Sequence, residues 1–404
     1  MNKIKNSSMF LLWAGAAISI AEIYTGGLIA PLGLLRGLLA ILIGHVIGTA
    51  YLAFGGFIAF KQELNAMECV RNSLGSWGVK AVSVLNVLQL LWWSAIMMIL
   101  GGKALNEVFP SMSVNITILI MAVLVLVWAY FFNNYSKTVN DVSVIALLFL
   151  SLALFTKIDF SSAIQINANI SFTGAVELSV AMAVSWLPLI GDYTKNAKTK
   201  TGSSIFTYLG YFTGSMLMFS LGLFVAIYSG KDIVEFIASS FVGWVACIVI
   251  VLSTVTTTFL DVYSAVISTK QIIKITKDNN FIILYSVIAL ALAYIFPAEK
   301  YIDYLYIIGY VFVPIYTVVF IDYFLIRSKL QLKLNFKGVV SALVGAIIYY
   351  LLNYHSIGIP SVIVICVVAV IYLVLSKLFK DEIKKHSTCE EGVKKVTFLP
   401  VRKV

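Results

Sequence analysis

Long apolar runs alternate with short polar connections over almost the whole chain. Windows of about 19 apolar residues predict twelve crossings of a bilayer, at about 9–31, 37–60, 81–106, 114–132, 142–156, 173–191, 204–228, 241–267, 281–297, 303–326, 338–353 and 359–379. The distribution of basic residues tests this count independently, because lysine and arginine accumulate on the cytoplasmic side. With Met1 placed inside, only Arg36, Lys103, Lys157, Lys231 and Lys300 of the 29 basic residues fall outside. A missed or added helix would scramble the alternation downstream, so both termini are expected in the cytoplasm.

Two crossings break the apolar pattern near their middles. In the first, Phe10 to Pro31, Glu22 stands at mid-depth among Ala16, Ala17, Ser19, Ala21 and Thr25, with Gly26 and Gly27 a turn beyond. In the sixth, Ser185, Trp186 and Pro188 precede Gly191 and Asp192. A carboxylate in hydrocarbon costs about 3 kcal/mol or more, so Glu22 is expected to face a protein-lined cavity. Small and polar residues let a helix open and expose carbonyl groups to an ion or substrate. Interruptions five crossings apart are the pattern of two inverted five-helix repeats around a central site.

Composition narrows the class. At 60% hydrophobic and 12% charged over 404 residues, the chain has too few polar residues to cover a water-facing globule. This is an all-α polytopic membrane protein. The first crossing is too long for a signal-peptide core and lacks a cleavage site, so it is expected to be retained. The formal charge of +10 is scattered in short clusters between apolar segments, which argues against nucleic acid as a partner and for the lipid bilayer. Cys69, Cys247, Cys366 and Cys389 form no CxxC pair, and neither a disulfide framework nor a zinc site is expected. Residues 62–80 and 232–240 read as short amphipathic surface segments, and 380–404 as a charged cytoplasmic tail. The transmembrane domain thus covers about 1–379, with crossings 1–5 at about 9–156, 6–10 at about 173–326 and 11–12 at about 338–379.

Candidate chemistry clusters in four crossings. Gln89, Trp93 and Met97 recur every four residues on the third, placing an amide and an indole on one face. Trp92 and Trp93 lie too deep for an interfacial belt. The eighth carries Thr254, Thr256, Thr257 and Thr258 before Asp261. Threonines in membrane helices most often bond their own backbone, whereas Glu22 and Asp261 have little structural reason to be there. His45, between Gly44 and Gly48, reads as a packing or hydrogen-bonding residue, and Glu177, Asp192 and Asp322, near helix ends, as solvated. No HExxH, Gly-x-Ser-x-Gly or phosphate-binding glycine loop is present, so an intramembrane enzyme is disfavoured. A channel suits two broken helices less well than a binding site does.

The segments WAGAAISIAEIYTGGLIAPLG, LQLLWWSAIMMILGGKAL, SWLPLIGDYTKNAK and TVTTTFLDVYSA resemble the nucleobase:cation symporter-1 family, and within it the CytX-type branch to which hydroxymethylpyrimidine transport is ascribed. The resemblance implies a LeuT-type 5+5 inverted repeat plus two C-terminal helices, alternating access, and cation-driven uptake of a small aromatic heterocycle, with no cofactor beyond Na+ or H+ as coupling ion. It places sodium-binding carbonyls near Ala17 and Ile20 and a hydroxyl at Thr256, with Val255 at the neighbouring hydroxyl position and Thr257 as its substitute. It also assigns ring stacking to Trp93 and Trp186, with Ser185 beside the latter, and an edge-reading role to Asp261. Gln89 stands in for the polar residue that Met97 replaces. An aspartate where an amide is usual, with Glu22 opposite, points to an amino-substituted and cationic pyrimidine such as hydroxymethylpyrimidine, a thiamine precursor. Cytosine or another nucleobase is the alternative cargo.

Overall fold

The computed structural model describes residues 3–131, 137–164, 166, 169–240, 243–295, 300–328 and 332–379. The expected tail, with Cys389, and the side chain of Cys247 lie outside what is described. Helices run in the order α1 Asn6–Ala17, α2 Ile20–Gly27, α3 Leu34–Gln62, α4 Arg71–Val108, α5 Val114–Phe131, α6 Lys137–Phe155, α7 Phe172–Ser185, α8 Ile190–Thr194, α9 Thr207–Ser229, α10 Ile233–Ser240, α11 Gly243–Thr269, α12 Asp278–Ile295, α13 Tyr301–Ile321, α14 Phe336–Tyr354 and α15 Pro360–Leu378. Among the described residues, nine helices are long and apolar enough to span a bilayer, and the α1–α2 pair, bent by 55°, makes a tenth. The shorter apolar helices 141–155 and 172–185 occupy the places of the fifth and sixth crossings. The protein is a multi-pass, all-α membrane protein.

Both expected helix breaks are present. The first falls at Ile18 and Ser19, where the backbone turns extended and the Ser19 hydroxyl accepts from the Glu22 amide as the N-cap of α2. The second falls between α7 and α8, around Pro188, whose ring cannot continue a helix. Packing follows the five-plus-five relation. α3 lies along α7 and its counterpart α9 along α1 and α2, while α4 and its counterpart α11 form the most extensive pair. α4 also meets α12, as α11 meets α5. Gly222 makes the α2–α9 contact possible, since a Cβ there would lie 1.8 Å from the Ile23 carbonyl oxygen. α14 and α15 pack against α13 outside this core.

Residues 232–240 do form the expected amphipathic segment, as α10, which buries Ile233, Val234, Phe236 and Ile237. Within residues 62–80 a short helical segment also forms, cut off from the rest of α4 at Gly75 and burying Cys69, Val70 and Leu74 while Arg71 is exposed. A single 3₁₀ turn at Glu68–Val70 leads straight into α4, which is interrupted at Gly75 (φ 84°). Residues 332–335 cross over that interruption and accept from the Ser76 and Trp77 amides. A side chain at Gly75 would collide with the Lys333 carbonyl, 2.7 Å from its Cβ.

The expectation of solvated acids at helix ends is also corrected: Glu177, Asp192 and Asp322 are only 1–3% exposed. Glu177 accepts from the Tyr349 and Ser361 hydroxyls and the Ser361 amide, tying α7 to α14 and α15. Asp322 accepts from Ser328 and Tyr372, and Asp192 from the Ala66 amide. Chain folding supplies these partners from elsewhere in the sequence.

Candidate functional site

The two breaks and the central stretches of α4 and α11 enclose one cavity. Its wall is Ser19, Ala21 and Glu22 from the first break, Ser185 and Trp186 with Met182 from the second, Trp93 and Met97 from α4, and Thr257 and Asp261 from α11. Its free space, about 20 Å³, is room for a single water molecule and too small for a six-membered ring.

The structure thus brings together Glu22, Trp93, Ser185, Trp186, Thr257 and Asp261. Gln89 is 4% exposed and holds the break from behind: its Nε2 donates to the Ser185 carbonyl at 2.8 Å, and its Oε1 has no partner. Ala17, Ile20 and Thr256 are buried but are not part of the wall. The Thr256 hydroxyl donates to the Leu252 carbonyl at 2.6 Å and Thr257 to Ser253 at 2.9 Å, the self-bonding habit of threonine in membrane helices. The Ala17 carbonyl accepts from the Ser19 amide at 2.9 Å.

The two carboxylates differ sharply in their surroundings. Glu22 Oε1 accepts from the Tyr211 hydroxyl at 2.7 Å and Oε2 from the Ser215 hydroxyl at 2.5 Å, both on α9. His45 extends the network, with Nε2 2.5 Å from the Ser215 Oγ and Nδ1 2.7 Å from the Ile41 carbonyl. Asp261, 4% exposed, makes no hydrogen bond or ion pair with any described residue. Sequence reasoning missed Tyr211 and Ser215, although their four-residue spacing on an apolar helix would have placed them on one face.

The cavity is closed on both sides. Toward the face that carries the N-terminal residues, Trp13 stands edge-on to Trp186 and to Tyr193, each at 6.1 Å, and Tyr193 meets Tyr263 at 6.0 Å. Toward the far face the cover includes Tyr301, with Tyr24 and Tyr304 beside it. Tyr301, the first residue of α13, shares a 2.7 Å hydrogen bond with Thr25 and stands edge-on to Trp93 at 6.0 Å. Beyond it lies a vestibule of about 330 Å³ by the same measure, lined by Tyr24, Lys103, Glu107 and Asp232 among others.

A pair of discontinuous helices around a buried, aromatic-lined pocket with one unsatisfied carboxylate is the architecture of a secondary transporter of the LeuT type. The chain belongs to the family of permeases for cytosine/purines, uracil, thiamine and allantoin, whose model matches residues 2–375. The nucleobase:cation symporter resemblance therefore holds at the level of the family, which transports small nucleobase-like molecules. Solved structures give the same fold. Mhp1, a nucleobase-cation-symport-1 family transporter, is 16% identical in its inward-facing conformation (TM-score 0.79; 94% of this chain, 92% of that one). In its closed conformation with bromovinylhydantoin bound it is 15% identical (TM-score 0.77; 93% and 91%). A Na+-coupled sialic acid symporter, outward-open with substrate bound, is 11% identical (TM-score 0.71; 93% and 90%). No curated protein matches the sequence. Family and fold are those of transporters rather than enzymes.

Proposed function

We propose that the protein is a cation symporter of the cytoplasmic membrane that imports a small aminopyrimidine, hydroxymethylpyrimidine as a thiamine precursor, by alternating access. The observation that carries this reading is Asp261, a buried carboxylate in the cavity wall without a hydrogen-bond partner among the described residues. A carboxylate only accepts hydrogen bonds, and Gln89 Oε1 adds a further unpartnered acceptor nearby in the chain fold. An aminopyrimidine presents an exocyclic N–H beside a ring nitrogen. When that nitrogen is protonated, the two donors match the two oxygens of Asp261 in a charge-assisted pair. Once the cavity widens to admit it, the ring is taken between the indoles of Trp93 and Trp186, with Glu22, its own oxygens held by α9, in the same wall. Ser185 closes the wall beside Trp186.

The coupling ion is Na+ or H+. Sodium would be held by the Ala17 and Ile20 carbonyls and the Thr256 hydroxyl, with Thr257 adjacent. This donor set fits only in part, because Val255 is apolar and a hard cation needs a fuller oxygen cage than these groups supply. The face bearing the N-terminus is cytoplasmic in this reading. Substrate enters from the vestibule past Tyr301, and the Trp13–Trp186–Tyr193 layer bars the inner side until α8 and α1 move.

Uptake of labelled hydroxymethylpyrimidine into proteoliposomes, with sodium and proton gradients imposed separately, tests the proposal. One gradient should drive accumulation, with hydroxymethylpyrimidine and cytosine competing better than uracil. Accumulation indifferent to both gradients, or displacement by uracil ahead of both aminopyrimidines, contradicts it. Cytosine displacing the label more strongly than hydroxymethylpyrimidine itself would make cytosine the cargo.

A further inference from the structure

α4 carries an unusual series of buried polar atoms without partners. Ser83 Oγ, Asn86 Oδ1, Gln89 Oε1 and Trp93 Nε1 all lack a hydrogen bond, and none of the four residues is more than 7% exposed. Spaced three, three and four residues apart, they follow the protein-facing side of the helix. The opposite side, with Trp77, Val84, Leu85 and Leu88, is exposed. At 1.5 Å per residue the series runs about 15 Å from the cavity toward the N-terminal face. An unpaired polar atom inside a membrane protein is costly, and native interiors hold few of them. Four in register on one helix call for a state in which they are satisfied.

The amide hydrogens of the same series show what that state involves. Gln89 Nε2 donates to the Ser185 carbonyl, and Asn86 Nδ2 donates to the Pro188 carbonyl at 3.1 Å and to Ser268 at 2.9 Å. Two of these contacts grip the break between α7 and α8 at its two ends. The side chains of α4 therefore latch the broken helix through their donors while their acceptors stay idle. Movement of α8 would release the latch and uncover the stripe at the same time.

Building on the aminopyrimidine reading, we infer that Ser83 and Asn86 form a transit site for the donor-rich ring on its way from the central cavity to the N-terminal face. Their free acceptors, Oγ and Oδ1, take the hydrogen bonds that Asp261 and Gln89 give up. Binding at the cavity needs neither residue, whereas passage out of it needs both.

Ser83→Ala separates this role from a structural one, because the Ser83 hydroxyl has no bond to lose. The measurements are the Kd of purified protein for hydroxymethylpyrimidine, the maximal uptake rate in proteoliposomes and the melting temperature. Ser83→Ala should leave Kd and melting temperature at wild-type values and lower the maximal rate about fivefold, the size of one neutral hydrogen bond. Asn86→Ala should slow uptake further. Ser83→Cys should react with a membrane-impermeant thiol reagent at the N-terminal face faster in the presence of hydroxymethylpyrimidine, measured against the wild-type chain as blank. A wild-type maximal rate in Ser83→Ala, or Ser83→Cys labelling indifferent to substrate, overturns the transit site while leaving the transport reading intact. Absence of hydroxymethylpyrimidine binding by the wild type overturns the reading on which it rests.

Discussion

Glu22 and Asp261 share one cavity wall, yet they are built for different tasks. Glu22 starts a helix, where the dipole favours a negative charge, and both its oxygens are taken by α9 hydroxyls. Its network through Ser215 to His45 fastens the first, second and seventh crossings to one another. Asp261 sits on α11 with no hydrogen bond or ion pair among the described residues. Burial alone does not distinguish them, and the count of hydrogen bonds among the described residues is what separates a carboxylate tied to neighbouring helices from one that faces the cavity without a described partner.

This contrast can be broken from either side. Removing the open carboxylate should have the largest effect. Asp261→Ala is expected to cut hydroxymethylpyrimidine affinity roughly 10- to 100-fold, the range of a charge-assisted hydrogen bond, with no loss of melting temperature. Unchanged binding would remove Asp261 from the site. Glu22→Gln should show the reverse balance. Its amide N–H must meet a hydroxyl that turns from donor to acceptor, so a stability loss of about 1 kcal/mol is expected, with affinity changed only a few-fold. A melting temperature equal to wild type would show that the α9 bonds contribute nothing. Tyr301→Phe tests the cover toward the vestibule and should have the smallest effect. It removes the hydroxyl shared with Thr25 while keeping the ring against Trp93, and is expected to speed release of bound pyrimidine about fivefold. Equal release rates would place the barrier elsewhere.

Much of the fold was legible because membrane helices are governed by local composition. Glycine, serine and proline at mid-depth locate both breaks. The cavity wall was legible where polar or indole groups stood too deep in an apolar run, as with Glu22, Trp93 and Asp261. What depends on tertiary approach was not. Tyr211 and Ser215 look like ordinary residues of a small-residue helix until α9 meets Glu22, 189 and 193 positions away. Glu177 read as solvated because Tyr349 and Ser361, its donors, lie 172 and 184 residues on. The threonines of α11 illustrate the converse, since Thr256, Thr257 and Thr258 all bond their own helix. His45 read as a hydrogen-bonding residue, and its bonds to Ser215 and Ile41 agree.

The account stands most directly on Asp261 reading the amino edge of the ring. Calorimetric titration of the wild type and of Asp261→Asn with hydroxymethylpyrimidine and with uracil tests this in one experiment. The account predicts that the wild type prefers the aminopyrimidine and that the amide, which offers a donor beside an acceptor, shifts the preference toward uracil. The same preference order in both proteins would contradict it.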